Sequence, residues 1–183
     1  MFELTPVHLP GVFLLKPRVI EDLRGRFVKT LHEGFFTDNA LEPHFVEEYY
    51  SVSRPGVLRG LHFQLPPMDH VKMVYAVAGR VLDAVVDLRK GSPTYGQYAL
   101  IELSAERGEI LYIPKGLAHG FYVHGAEEAT LVYKVSTVYS PEHDAGILWN
   151  SAGIPWPNAS PVLSPRDGAF PMLQGFISPF NFD

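Results

Sequence analysis

The chain has no cysteine. That removes disulfide frameworks, thiolate metal sites and thiol nucleophiles from consideration. Charge is also sparse: Asp, Glu, Lys and Arg make up 19% of 183 residues, and acids outnumber bases for a formal net charge of −5. Nucleic acid is therefore not expected as a partner, because neutralising a phosphate backbone needs a basic face. A small phosphate-bearing ligand, which needs only two or three local cations, stays open. No apolar run approaches the roughly 20 residues of a membrane-spanning helix, so no membrane partner is expected. The start, Phe2-Glu3-Leu4-Thr5-Pro6, lacks a basic stretch followed by an apolar core. No secretory signal is expected, and the expected setting is the cytoplasm.

What is present is 46% hydrophobic residues, enough for one globular domain over residues 1–183. The 16 glycines and 16 prolines are scattered as punctuation. Between them lie short β-branched and aromatic runs: Gly11–Leu15, Phe45–Ser51, Val71–Val77, Arg80–Leu88, Tyr95–Leu103, Glu109–Ile113, Gly120–His124 and Ala129–Val138. Turn signals such as Lys90-Gly91-Ser92-Pro93 separate them. This pattern predicts an all-β sandwich or barrel. In Val81–Leu88 apolar groups occupy both faces, as in a strand covered on both sides. A helix is expected only over Glu33–Leu41. From Tyr139 onward the chain is rich in proline and holds Trp149 and Trp156. Proline cannot serve interior ladder positions, so that quarter reads as an extended segment wrapping a sheet, anchored by aromatic burial.

Titratable groups sit inside these apolar runs. His62 falls in Arg59-Gly60-Leu61-His62-Phe63-Gln64, and His119 in Pro114-Lys115-Gly116-Leu117-Ala118-His119-Gly120-Phe121. Each is either a satisfied structural imidazole or a base. A metal site of the cupin type wants a second histidine and an acid close behind the first. Gln64 stands two beyond His62, and the nearest following acid, Asp69, lies in a proline turn. Metal binding is the weaker reading, and no metal or other cofactor is expected. Lys72 needs a counter-charge or a developing anion. Asp83 supplies one across the Gly79-Arg80 turn if the flanking runs form a hairpin, and such a pair is structural or catalytic alike. Tyr133 is equally open between packing and chemistry. Arg24, Arg26 and Arg59 stand beside glycines and suit diphosphate oxygens, or simply solvated turns.

Taken together, these segments resemble a known family, the dTDP-4-dehydrorhamnose 3,5-epimerases, nucleotide-sugar epimerases of the cupin superfamily. The matching pieces run in order. They include Asp22-Leu23-Arg24-Gly25-Arg26-Phe27, the Gly56–Gln64 run, Lys72, Gly79–Asp83, Val86–Gly96, Ile113-Pro114 to Phe121, Tyr133-Lys134, Tyr139–Glu142, Gly153–Pro157 and Leu163–Asp167. The resemblance implies a double-stranded β-helix, or jelly roll, with short peripheral helices. It also implies a nucleoside-diphosphate 4-keto sugar substrate, no cofactor, and a homodimer whose N-terminal strands cross to the partner. The Gly11–Leu15 run would suit that task, because exposed strand edges need covering.

The implied chemistry is epimerisation beside a ketone, which needs a base, an oxyanion stabiliser and an acid across the ring. The resemblance makes His62 the base and Asp167 the carboxylate that orients it. Lys72 stabilises the oxyanion, with Asp83 holding the lysine, and Tyr133 is the opposite-face acid. His119 lines the pocket, Arg24 and Arg59 hold the diphosphate, and Tyr139 stacks on the nucleotide base. Phe27, Lys29, Glu47, Tyr49 and Gln64 are the remaining implied substrate contacts. The family usually reads Gln-Asp-Asn-His-Ser where this chain has Glu47-Glu48-Tyr49-Tyr50-Ser51, and glutamate at Lys29. Those departures leave the nucleotide and sugar open. The alternatives are a C3-only or C5-only epimerase on a related dTDP-, CDP- or GDP-linked 4-keto sugar, a metal-dependent cupin, and a non-catalytic sugar-nucleotide binder.

Overall fold

The computed structural model describes residues 2–182. Short β-branched runs become strands β1 (Phe2–Pro6), β2 (Phe13–Pro17), β3 (Val19–Asp22) and β4 (Gly25–Val28), followed by helix α1 (Glu33–Asp38). Strands β5 (Glu47–Ser53), β6 (Leu58–Gln64), β7 (Lys72–Ala78), β8 (Arg80–Asp87), β9 (Tyr98–Ser104), β10 (Ile110–Ile113), β11 (Leu117–Val123), β12 (Ala129–Val135) and β13 (Asp144–Gly146) complete the order. They form a six-stranded sheet, β1-β2-β10-β7-β12-β5, and a five-stranded sheet, β13-β6-β11-β8-β9. The pairings within both are antiparallel. The architecture is the all-β jelly roll that the resemblance implies.

Side-chain alternation sorts the core into three layers. Between the sheets, Val74 and Ala76 of β7, Leu131 and Tyr133 of β12, and Val81 and Val85 of β8 pack with Leu117, Phe121 and Val123 of β11. Outside the six-stranded sheet, Met73 and Tyr75 meet Phe36 of α1. Outside the five-stranded sheet, Ala84, Val86, Phe63 and Ala118 are covered by Ile147, Ile154, Phe176 and Phe180 from the C-terminal quarter. Both faces of β8 are thus buried, which explains its two-sided apolar pattern.

Two local expectations need correction. The helix stops at Asp38, not Leu41, with Asn39 at its C-cap and Ala40 in the left-handed region at φ 55°. Within the protomer, β2 from the Gly11–Leu15 run is paired by β1 on one side and β10 on the other. The runs flanking Gly79 form no hairpin. β7 pairs with β10 and β12, β8 pairs with β11 and β9, and the chain changes sheets through Gly79 alone. That residue takes φ 68°, and a Cβ there would collide with the Glu128 carbonyl, so glycine is required.

A separate two-stranded ribbon, β3–β4, stands apart from both sheets. Its base packs near Gly108 through Val19 and Val28, and Arg26 donates to the Glu106 carbonyl at 2.7 Å. Its other apolar side chains, Ile20, Leu23 and Phe27, are exposed.

Candidate active site

Between the sheets at one end opens a cavity of about 400 Å³. It is lined by Arg59, His62 and Gln64 of β6, Lys72 of β7, His119 of β11, Tyr133 of β12, and Glu47, Tyr49 and Ser51 of β5. His70, Tyr139, Asp144 and Arg166 complete the polar wall.

Two glycines let the histidine strands approach. A Cβ on Gly60 would lie 2.5 Å from Gly120 Cα, and one on Gly120 would lie 2.6 Å from the Arg59 carbonyl oxygen. Gly60 also takes φ 132°, a conformation L side chains rarely adopt. This close crossing sets His62 directly opposite His119 in the β6–β11 register. The Arg59-Gly60-Leu61-His62 and Ala118-His119-Gly120 segments are thus the two sides of one backbone contact.

Each histidine is turned onto its own aspartate. His62 Nε2 lies 2.9 Å from Asp167 Oδ1, and the Gly60 N–H donates to Asp167 Oδ2 at 3.1 Å. Burial opposes the Asp167 charge. Hydrogen bonds from His62, Gly60 and Ser164 outweigh it, and the carboxyl falls to about 2. A carboxylate can only accept, so the neutral ring carries its proton on Nε2 and keeps a lone pair on Nδ1. Arg166, a donor only, brings Nη2 to 2.9 Å from that same Nε2, where it can hydrogen-bond only in the other tautomer, while Nη1 pairs with Asp144.

His119 Nε2 lies 2.8 Å from Asp83 Oδ2, in a pair almost wholly removed from solvent. Burial pushes His119 down and Asp83 up, each partly offset by the other. The aspartate expected to hold Lys72 therefore holds His119. Among the described residues, no carboxylate comes within ion-pair distance of the Lys72 ammonium. The physical reason is the sheet crossing at Gly79, which puts Lys72 and Asp83 on opposite walls. Burial, only partly offset by Asp83 and Asp144, lowers Lys72 to about 8. A cation so placed lacks a fixed partner, and a developing anion is the charge that would complete it.

Tyr133 faces these groups from the six-stranded sheet. Its ring stacks on Tyr49 at 4.9 Å and 17°, and its hydroxyl lies 2.9 Å from Ser51 Oγ. Burial raises the Tyr133 phenol, and it raises Tyr49 to about 12 with help from Glu47 and Asp144. Two side chains fasten the segment carrying Tyr139. Glu47 Oε2 accepts the Tyr139 N–H at 2.7 Å, and Gln64 Oε1 accepts the Ser140 N–H at 2.6 Å. Arg59 is braced by its Nε donating to Ser53 Oγ at 2.9 Å.

Arg24, Phe27 and Lys29 do not reach the cavity in this chain. Arg24 pairs with Asp22 at the exposed tip of the β3–β4 ribbon. Conversely, Ser51, His70, Asp144 and Arg166 line the cavity without having been singled out. For Ser51 the signal was available: Glu47, Tyr49 and Ser51 alternate along one strand and share a face. Nothing local marks Asp144 or Arg166.

The family model of dTDP-4-dehydrorhamnose 3,5-epimerase matches residues 6–175. A relative of that name from Neisseria gonorrhoeae is 46% identical over 168 residues, or 90% of this chain. The chain spans only 51% of that relative's length. A dTDP-4-dehydrorhamnose 3-epimerase from Streptomyces niveus is 39% identical over 90% of this chain and 81% of its own. The crystal structure of dTDP-6-deoxy-D-glucose-3,5-epimerase from Legionella pneumophila, in complex with dTDP-4-keto-L-rhamnose, superposes with a TM-score of 0.94. It is 33% identical, with both chains fully covered.

Proposed function

Because the chain belongs to the dTDP-4-dehydrorhamnose 3,5-epimerase family, we propose that it inverts C3 and C5 of a dTDP-linked 4-keto-6-deoxyhexose, turning dTDP-4-dehydro-6-deoxy-D-glucose into dTDP-4-dehydro-L-rhamnose. The single observation carrying this reading is the pairing of base and acid across the cavity. His62, braced by Asp167, rises from the five-stranded sheet, and Tyr133 descends from the six-stranded one. A sugar ring between them meets a base on one face and an acid on the other.

The C–H bonds beside a 4-keto group are acidic because the electron pair left behind spreads onto O4. His62 takes the proton, the Lys72 ammonium stabilises the enolate oxygen, and Tyr133 returns a proton to the opposite face. Repeated at the second carbon, the sequence inverts both centres. No electrons leave the substrate, so no redox cofactor takes part. His119, fixed by Asp83, adds a polar wall beside Lys72. Arg59 and Arg166 supply cations for the diphosphate, and Tyr139 supplies an aromatic face for the nucleotide base.

The enzyme acts as a homodimer in this reading. The exposed Leu23, Phe27 and Ile20 of the β3–β4 ribbon are apolar surface that a second copy would cover. The ribbon would deliver Arg24, Phe27 and Lys29 to the partner's cavity, and the cytoplasm is its setting.

The test is proton NMR of dTDP-4-dehydro-6-deoxy-D-glucose with the enzyme in heavy water. Deuterium at both C3 and C5 is expected. Label at C3 alone favours the narrower reaction, for which the Streptomyces niveus relative is named. Label at neither carbon sinks the epimerase reading.

A further inference from the structure

Resting on the reading above, we infer that Ser51 is a positioning residue for Tyr133: its hydroxyl accepts from the phenol while Tyr133 is an acid, then donates to the phenolate once that proton has gone to carbon. The two oxygens lie 2.9 Å apart, and either can be the donor. A serine hydroxyl rotates freely and carries one proton and two lone pairs, so it can serve both states without moving its backbone.

The register explains the contact. Tyr133 lies opposite Tyr49, and Leu131 lies opposite Ser51, so Ser51 and Tyr133 are diagonal neighbours on the inner face. The ring has its own supports. Tyr49 stacks on it, and His119 approaches in an edge-to-face arrangement at 6.3 Å and 73°. Those contacts fix the plane, and Ser51 is left to fix the oxygen. Burial disfavours the phenolate, and the Ser51 hydrogen bond is the largest influence working against that. Arg59 also favours the anion, yet its Nε is engaged by Ser53, one step along the same strand face. The neighbouring serines thus divide the work, Ser53 holding the guanidinium and Ser51 the phenol.

The step balances without a further reagent. The Tyr133 O–H bond breaks as a C–H bond forms on the enolate, and the electron pair stays on the phenolate oxygen. Ser51 forms and breaks no covalent bond. Water restores the phenol and takes the proton held by His62.

The test is deuterium incorporation from heavy water into dTDP-4-dehydro-6-deoxy-D-glucose, with dTDP affinity measured in parallel. Ser51→Ala is expected to slow incorporation roughly 10- to 100-fold, the range for losing a hydrogen bond to a charged group, at unchanged dTDP affinity. Ser51→Thr, which keeps a hydroxyl on a strand, restores most of the rate. The double variant Ser51→Ala/Tyr133→Phe is no slower than Tyr133→Phe alone, as expected for residues acting as a unit. Wild-type rate in Ser51→Ala, or additive losses in the double variant, overturns the inference and leaves the epimerase reading intact. Full activity of Tyr133→Phe removes the inference together with the acid assignment. Absence of exchange in the wild type removes the epimerase reading and the inference with it. Should Ser51→Ala fail to fold by circular dichroism, Ser51→Cys, with its weak S–H donor, carries the same expectation.

Discussion

Lys72 and Asp167 are two residues whose titration has direct consequences. The Lys72 ammonium is depressed to about 8, so it begins to lose its charge just above neutrality. Turnover is expected to fall along an alkaline limb near pH 8. Lys72→Met, without an ammonium, is expected to lose about 10²–10³ in rate and to lack that limb. A pH–rate profile of both proteins checks this, and a limb surviving in the variant assigns it elsewhere. Asp167 moves the other way, from an ordinary 3.8 to about 2. A carboxylate depressed on folding adds stability that is present above its unfolded value and vanishes as pH falls through its folded value. The stability gap between wild type and Asp167→Asn should therefore hold near neutrality and shrink between pH 3.8 and about 2. Acid titration of the two unfolding curves measures it. At neutral pH the same variant should lose roughly 10²–10⁴ in turnover, the range of general-base catalysis.

How much of this was legible differs from residue to residue. His62, His119 and Lys72 stood out because charge inside an apolar run needs a reason. Asp167 carried no local signal and entered only through resemblance, since its partner is distant in sequence and the two meet only in the fold. Asp83 was assigned to Lys72 because Gly79 looked like a hairpin turn. A single glycine can equally carry the chain from one sheet to the other, and only the pairing of each strand with its neighbours decides between these.

Among the elements, β6 and β11 matter most, because their closeness sets the histidines. Gly60→Ala places a methyl group against Gly120 Cα and strains the backbone besides. We expect a stability loss on the order of 1–3 kcal/mol, read from urea denaturation, with a larger proportional loss of turnover as His62 shifts. Unchanged stability and rate would mean the strands separate at no cost. Strands rich in β-branched residues were readable from pattern. The ribbon β3–β4 was not, because its Val19–Val28 stretch mixes charged and apolar groups without alternation. Its exposed Leu23 and Phe27 yield a further expectation. Replacing both with serine should leave the protomer folded and shift a dimer toward monomer in analytical ultracentrifugation. A dimer unaffected by the change places the interface elsewhere.

Across the whole molecule, two sheets face each other, and the cavity is the end of the sandwich where polar side chains replace the apolar core. All-β architecture could be read from the spacing of runs and turns, and the C-terminal wrapping from proline and tryptophan content. The distribution of strands between sheets could not, since it depends on long-range pairing that no local pattern encodes. That distribution puts His62 and Tyr133, the proposed base and acid, on opposite walls, and the reaction proposed for the site rests on His62 removing the proton from carbon. The most direct measurement is the rate of deuterium incorporation by His62→Ala against wild type, with dTDP binding followed by calorimetry on the same samples. Unchanged dTDP affinity is expected, with exchange lost by at least about 10²-fold. Exchange at the wild-type rate in that variant would contradict this role for His62.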